Sequence, residues 1–173
     1  MRTLKQSPLM SRASRVVILG IDPGYERCGV AVLEKAESEA LKYSTCLQTS
    51  TKLPHPERLL AIGTEVESLI TAWRPTHLAL EKLFVTTNQK TAMQVGEVRG
   101  VLLYLAAKHQ LTVAEFSPPE IKQTVTGHGS ADKQQIAAMV RRLVTLLHEP
   151  KYDDEFDAIA VALTTAARLS TLG

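Results

Sequence analysis

The chain lacks most features that mark specialised classes of protein. It has two cysteines in 173 residues and no run of about 18 apolar residues. These absences exclude a disulfide scaffold and predict that no segment spans a membrane. Because Cys28 and Cys46 both lie in apolar-rich stretches, we expect reduced thiols and a cytoplasmic protein. The N-terminus is basic, but no long apolar segment follows it, which argues against a secretory signal.

Several familiar catalytic motifs are also missing. No cysteine and histidine spacing is typical of a zinc site. No glycine-rich loop ends in Gly-Lys-Ser/Thr, and no Gly-x-Gly-x-x-Gly fingerprint is present. His128 lies in a glycine loop without the sequence context of a serine or cysteine nucleophile. Any catalytic chemistry must therefore come from other residues, and carboxylates are the main candidates.

The composition is that of an ordinary globular protein, with 45% hydrophobic and 22% charged residues. We predict a flexible basic arm over residues 1–14 and a single domain over residues 15–173. The first 15 residues hold four basic and no acidic side chains, which leaves the rest slightly acidic. Net charge alone is therefore no argument for a nucleic-acid partner. If DNA is bound, the acids must be gathered in one place and the bases in another.

Hydrophobic periodicity and turn residues predict an α/β fold. Three short-linked strands come first and suggest an antiparallel meander, and helices then alternate with two further strands. This order predicts a mixed five-stranded sheet flanked by helices. The predicted strands are 15–22, 28–33, 41–48, 77–81 and 111–116. The predicted helices are 54–73, 91–108, one capped by Ser117, one capped by Ser130 with an inner face reaching Leu147, and one from Asp153 or Asp154 to about Leu169.

Two acids end apolar strands. Asp22 closes the first strand just before Pro23-Gly24, where it either caps the turn or belongs to a site at the edge of the sheet. Glu81 closes Leu78-Ala79-Leu80, where a carboxylate is costly unless it is paired or bound to metal. A salt bridge to Lys82 is the simple alternative, but neighbours in a strand point to opposite faces.

Two further acids begin the last helix. Asp154 and Asp157 are three residues apart and share a helix face, as Asp153 and Asp157 also do. Acids in a first turn often serve only the helix dipole. The apolar run that follows predicts a buried helix, however, so we expect its acidic end to be more than a solvent-exposed helix terminus. Four carboxylates at the ends of elements supply the oxygen ligands that Mg²⁺ prefers.

Five segments between Val16 and about Ala167 form a characteristic series. They are Gly20–Gly24 with Gly29, Leu80–Phe84 with Asn88 and Thr91-Ala92, Val95–Gly100, Ile121–Lys133, and Asp154–Ala160. The first segment alone is a weak signal, because actin-like sugar kinases open similarly. Together and in this order, the segments resemble the RuvC family of bacterial Holliday-junction resolving endonucleases, which has the RNase H-like fold.

The resemblance implies a structure-specific DNA endonuclease that acts in recombination and repair. Its four metal ligands and catalytic acids would be Asp22, Glu81, Asp154 and Asp157. They would hold two Mg²⁺ ions, with Mn²⁺ as a substitute, for phosphodiester hydrolysis that leaves 5′-phosphate and 3′-hydroxyl ends. Asp154 is preferred over Asp153 because its spacing and the following Ala158-Ile159-Ala160 match the family.

The resemblance also assigns DNA contacts. Lys122 and Lys133 would hold phosphates near the cut, although an exposed lysine often has no such task. Phe84 would stack on or wedge between unpaired bases of the junction, or it is a plain core residue between Leu83 and Val85.

The family acts as a homodimer on four-way junction DNA, and the helix 91–108 would form the dimer surface. The small residues of that helix would equally suit packing on its own sheet. A branch-migration motor complex is a further partner that the resemblance suggests. The competing functions are a non-catalytic junction-binding protein on the same fold and an actin-like nucleotide-binding domain.

Overall fold

The computed structural model describes residues 15–83 and 89–171, and within them the chain forms five strands and five helices. The predicted arm, residues 1–14, and Phe84 lie outside the described residues. The strands are β1 (Val16–Asp22), β2 (Arg27–Lys35), β3 (Glu39–Gln48), β4 (His77–Glu81) and β5 (Thr112–Phe116). The helices are α1 (His55–Trp73), α2 (Gln89–Lys108), α3 (Pro118–Thr126), α4 (Lys133–Leu143) and α5 (Asp153–Thr171).

The strands form one mixed sheet in the order β3-β2-β1-β4-β5. β1, β2 and β3 pair antiparallel, whereas β1 with β4 and β4 with β5 pair parallel. The predicted mixed five-stranded sheet with antiparallel first strands is therefore confirmed. Because β1, β4 and β5 run in the same direction, their carboxyl ends meet at one edge of the sheet. That edge carries Asp22, Glu81 and Phe116.

Helices cover both faces of the sheet, and each face has its own apolar core. One core joins odd-numbered side chains of β1, such as Leu19 and Ile21, to α1 and α2. The other joins Ile18 and Ala79 to α3, α4 and α5. This division follows from the alternation of side chains along a strand. None of the described helices is both long and apolar enough to cross a membrane.

Two glycines let α5 pack closely on the sheet. A Cβ added to Gly20 of β1 would lie 2.5 Å from the carbonyl oxygen of Ala158. A Cβ added to Gly29 of β2 would lie 1.8 Å from the carbonyl oxygen of Asp154. Real side chains do not reach such distances to backbone atoms. These two positions therefore set how closely the first half of α5 approaches β1, which ends at Asp22, and its neighbour β2.

The predicted helix cap at Ser117 is confirmed and forms a capping box with Glu120, but the predicted boundaries of the next helix are wrong. Asp132, rather than Ser130, caps α4, because its carboxylate accepts from the backbone of Gln135 and the Gln135 side chain bonds back to the backbone of Asp132. The helix ends at Leu143, before the predicted inner-face residue Leu147, since the backbone of Val144 is extended. Leu147, predicted on the inner face, is exposed.

The two cysteines form no disulfide, as the sequence predicted. Cys28 of β2 is buried, and burial raises the pKa of its thiol to about 12. Cys46 of β3 is partly buried, and burial also raises its thiol pKa, to about 11. Neither thiol is therefore set up as a nucleophile at neutral pH.

Candidate metal centre and nucleic-acid interface

The four predicted acids lie in one region of the molecule. Asp22 and Glu81 each follow by one residue the β1–β4 pair Ile21 and Leu80. By strand alternation both carboxylates point to the α5 side, because Ile21 and Leu80 belong to the opposite core. The amino end of α5 packs over the same edge, and its acids act electrostatically on Asp22. Residues 22, 81, 154 and 157 therefore surround a common space.

The first turn of α5 is fixed from several sides. The backbone of Asp154 lies against Gly29 of β2. Glu155 is buried, and its Oε1 accepts a hydrogen bond from Ser44 Oγ at 2.6 Å. His148 Nε2 lies 2.8 Å from the same oxygen. Glu155 is thus an anchor for the turn that carries Asp154 and Asp157, since it ties α5 to β3.

Asp153 and Asp154 differ in exposure. The side chain of Asp153 is 66% exposed and lies 3.4 Å from Lys133 Nζ, whereas the side chain of Asp154 is 20% exposed. Asp154 also acts on the pKa of Asp22, and Asp153 is not among the groups that do so. The geometry therefore favours Asp154 over Asp153 as the fourth member of an acidic group with Asp22, Glu81 and Asp157. Lys133 nevertheless pairs with both Asp153 and Asp157.

Burial and mutual repulsion make Asp22, Glu81 and Asp157 reluctant to ionise. Burial, helped by Asp157, Glu81 and Asp154, raises the pKa of Asp22 to about 8. Burial and Asp157 also raise the pKa of Glu81. Burial likewise raises the pKa of Asp157, against the opposing effect of Lys133. Several carboxylates with raised pKa values in one place are typical of a functional site rather than of a structural ion-pair network.

Two lysines flank the acids, and the cleft between them is partly open. Glu81, Lys122, Lys133 and Asp157 line a cleft of about 200 Å³ between β4, α3, α4 and α5. Lys133 Nζ lies 3.8 Å from Asp157 Oδ2. Burial lowers the pKa of Lys133, but Asp157 and Asp153 outweigh it and the net change is upward. Both lysines act on Glu81, and none of the described ion pairs joins Glu81 to Lys82.

The carboxylate oxygens of the four acids suit a hard divalent cation, but their side chains are not already arranged around one ion. Among the described residues, no group of three or more His, Cys, Asp or Glu side chains is spaced to hold a metal ion. The acids nevertheless offer only oxygen atoms, which is the chemistry that Mg²⁺ and Ca²⁺ prefer. Asp154 Oδ2 is buried and has no hydrogen-bond donor in the described part of the chain. Because this oxygen accepts no hydrogen bond, its lone pairs can coordinate a cation.

Two arginines beside the site were not predicted. Arg27 Nε lies 3.2 Å from Asp154 Oδ2, and nothing in the sequence spacing indicates this contact. Arg58 is buried on α1 and donates to the carbonyl oxygen of Tyr25 and to Thr49 Oγ1, both at 2.9 Å. Its guanidinium carbon also lies 4.8 Å from the centre of the Tyr25 ring. Arg58 therefore secures the turn that follows Asp22.

The position of Arg58 did carry a sequence signal. Arg58, Ile62, Val66 and Ile70 form a row of four-residue steps, and all four are buried. A cation on an apolar helical row needs acceptors, which points to a polar contact with a neighbouring loop. That signal could have identified Arg58 before any coordinates were known.

Comparison with known proteins decides the family. The sequence model of "Crossover junction endodeoxyribonuclease RuvC" matches residues 18–165. A curated protein of that name from Heliobacterium modesticaldum is 44% identical over 157 residues, which cover 90% of this chain and 96% of the relative. The chain belongs to the RuvC family.

Solved structures agree with this assignment. The RuvC of T. thermophilus, in complex with a Holliday junction substrate, superposes with a TM-score of 0.82 at 33% identity, covering 90% of this chain and 97% of that one. The yeast mitochondrial Holliday junction resolvase Ydc2 has a TM-score of 0.63 at 14% identity, covering 89% and 82%, and shows the shared fold. The RNase H-like fold predicted from the sequence is therefore confirmed, and the RuvC family implies a nuclease that depends on divalent metal ions.

Proposed function

We propose that this chain resolves four-way DNA junctions by hydrolysing phosphodiester bonds at the edge of its sheet. The proposal follows from membership of the RuvC family, and one observation in the structure supports it above all. Asp22 and Glu81, on parallel neighbouring strands, face the acidic amino end of α5, which carries Asp154 and Asp157. Acids far apart in the sequence are therefore brought together, although their negative charges repel one another. A bound cation would remove that repulsion.

We infer that these four carboxylates hold divalent cations, with Mg²⁺ as the working ion and two ions per site. When bound, such ions supply Lewis-acid activation of the attacking water and stabilisation of the leaving oxygen. The carboxylates would hold these ions at the edge of the sheet, and the ions would bind the reacting phosphodiester there. The products that we expect are 5′-phosphate and 3′-hydroxyl ends.

We propose that Lys122 and Lys133 hold the DNA backbone. Both line the cleft beside Glu81 and Asp157, where a phosphate would lie close to the acids. Contacts of this kind position the substrate and add salt-dependent affinity without reading the base sequence. Phe84, the proposed junction-contacting aromatic residue, follows Leu83 and remains a prediction.

The proposed activity is tested with a synthetic four-way junction and a linear duplex of equal length. We expect cleavage of the junction alone, symmetrically in two opposed strands, in Mg²⁺ and not in EDTA. Binding without cleavage in Mg²⁺ and in Mn²⁺ would favour the non-catalytic junction-binding alternative. A nucleotide titration that gives saturable ATP binding and no junction binding would favour the actin-like alternative.

A second copy of the chain is the partner that we propose for α2. Met93 and Tyr104 are 65% and 64% exposed, and an added Cβ at Gly100 would meet nothing within 4 Å. These positions lie on one side of the helix and form an apolar face with little bulk at its centre. Two such faces could approach closely. The branch-migration motor suggested by the sequence stays a prediction.

The dimer is tested by light scattering during size exclusion. We expect twice the chain mass for the unmodified protein and the mass of one chain for Tyr104→Arg. Leu147→Arg is the matched control, because Leu147 is a similarly exposed apolar residue outside α2. A Tyr104→Arg variant that keeps the mass of the unmodified protein would contradict the assignment of this face.

A further inference from the structure

One member of the acidic group, Asp154, is in contact with an arginine on β2, Arg27. Arg27 is the first residue of β2, and its side chain is half exposed. Its Nε lies 3.2 Å from Asp154 Oδ2, while its guanidinium carbon lies 5.2 Å from the centre of the Tyr152 ring. The Tyr152 hydroxyl in turn donates to Gln48 Oε1 at 3.3 Å, and Gln48 is the β3 partner of Arg27. The guanidinium therefore has two supports, an acid and an aromatic ring.

The contact with Asp154 is electrostatic rather than a well-aligned hydrogen bond. Asp154 Oδ2 is within ion-pair distance of Arg27, yet among the described residues it has no hydrogen-bond donor. A guanidinium can bond a carboxylate with two parallel N–H groups, and here it does not use that geometry. An ion pair that lacks directional bonds and is half exposed contributes little stability. It is consequently easy to replace by a stronger cation.

We propose that Arg27 is a resident counter-ion of Asp154, which a divalent cation displaces and which then binds a junction phosphate. The inference rests on the proposed function, because it takes Asp154 as a cation ligand. In the metal-free protein the guanidinium offsets part of the repulsion within the acidic group. A bound divalent cation would neutralise Asp154 in place of Arg27, and it would repel the positively charged guanidinium.

Tyr152 determines where the displaced guanidinium remains. Because the ring holds the cation by its face, Arg27 can leave the carboxylate without leaving the edge of the sheet. The Arg27 side chain is half exposed at the start of β2, beside the acids where we expect the reacting strand to bind. A phosphodiester is the ligand that suits its planar set of donors. Cation binding would thus add one phosphate contact to the DNA-binding surface.

The first test measures cation binding without any cleavage. Ca²⁺ is titrated calorimetrically into the metal-free protein, into Arg27→Gln, and into Arg15→Gln. Arg15 is a matched control, because it pairs with Glu34 at the opposite end of β1 and β2. Removing the competing Arg27–Asp154 ion pair is expected to tighten Ca²⁺ binding by about two- to fivefold in Arg27→Gln, with no change in Arg15→Gln.

Weaker or unchanged Ca²⁺ binding in Arg27→Gln would overturn the proposal, because Arg27 would then orient Asp154 for the cation or have no effect on it. The same titration on Asp22→Asn separates this failure from failure of the proposed function. If Asp22→Asn binds Ca²⁺ as the unmodified protein does, the cation site itself is wrongly assigned. If only the Arg27 result fails, the cation site stands and the displacement does not.

The second test asks whether the displaced guanidinium reaches DNA. Junction affinity is measured by fluorescence anisotropy for the unmodified protein and Arg27→Gln, in EDTA and in Ca²⁺. We expect Arg27→Gln to weaken binding by about three- to tenfold in Ca²⁺ and by less than twofold in EDTA, where the arginine is held by Asp154. Equal losses in the two buffers would show that Arg27 contacts DNA irrespective of the cation, and would overturn the coupling.

Discussion

Asp22→Asn is expected to lower junction cleavage by about a thousandfold or more while junction binding is kept. Asp157, Glu81 and Asp154 all act electrostatically on Asp22, so Asp22 belongs to the acidic group. Asparagine keeps the shape of the side chain but removes the charge that holds a divalent cation. Less negative charge at the edge of the sheet also favours approach of DNA. Cleavage on a labelled four-way junction and anisotropy in Ca²⁺ measure the two effects separately.

The same substitution is expected to stabilise the metal-free protein at high pH. The folded-state pKa of Asp22 is about 8, above its ordinary value of 3.8, so folding disfavours the charged form. The resulting loss of stability is absent below the ordinary value and grows as the pH rises towards 8. In EDTA we expect the stabilisation by Asp22→Asn to be about 2–4 kcal/mol greater at about pH 9 than at about pH 5. Urea unfolding at the two pH values measures it.

Asp153→Asn is the matched control for both measurements. Its carboxylate is an exposed neighbour of the group and pairs with Lys133 in solvent, where ion pairs contribute little. For Asp153→Asn we expect junction cleavage to fall by less than about tenfold, and the free energy of unfolding to change by less than about 1 kcal/mol. Full activity in Asp22→Asn, or a loss in Asp153→Asn as large as that in Asp22→Asn, would contradict the choice of ligands.

The placement of Asp22 and Glu81 could be predicted because it depends on strand pattern and strand direction. Each acid ends an apolar run, and the order of elements indicates that β1 and β4 run parallel. Parallel strands bring their carboxyl ends to one edge. The approach of α5 is different, because no local pattern states which strands a helix will cross. Only the resemblance to RuvC connected Asp154 and Asp157 with that edge.

The errors in the sequence interpretation arose where two local signals competed. Ser130 and Asp132 are both good helix caps, and the choice depends on which can pair with a side chain three residues later. Gln135 gives Asp132 that partner. The apolar steps of α4 continue past Leu143, but the backbone becomes extended at Val144, which is buried in the core of the α5 face. Burial of Val144 thus overrides the periodicity that had placed Leu147 inside.

The contact of Arg27 with Asp154 lay beyond sequence reasoning for a similar cause. It joins the start of β2 to the start of α5, and its geometry depends on how α5 rests on Gly29. Arg58, by contrast, stands in a buried helical row and was open to prediction. Contacts within one periodic element can be read from the sequence, whereas contacts between two elements require their packing.

Gly29→Ala is expected to damage both the fold and the acidic group. The added methyl would lie 1.8 Å from the carbonyl oxygen of Asp154. The backbone fixes the positions of both the methyl carbon and the oxygen, so no side-chain rotation relieves the overlap. The first turn of α5 must move away from β2 and take Asp154 and Asp157 with it. We expect a loss of about 2–4 kcal/mol in the free energy of unfolding, as for overpacking of a core, and a loss of cleavage. Urea unfolding and junction cleavage measure the two losses.

Displacement of the acids and simple instability can be separated for this variant. Ca²⁺ titration at low temperature, where Gly29→Ala is still folded by circular dichroism, reports on the acids alone, and we expect binding to be weakened at least about tenfold. Gly96→Ala is the control for stability, because its added methyl meets Leu83 at an ordinary 3.7 Å inside a helix, where alanine is favoured by about 0.5–1 kcal/mol. A folded Gly29→Ala variant with unchanged Ca²⁺ affinity would mean that the position of α5 on β2 does not control the site. In that case the close packing at Gly29 would serve the fold alone, and the cation ligands would have to be sought away from the first turn of α5.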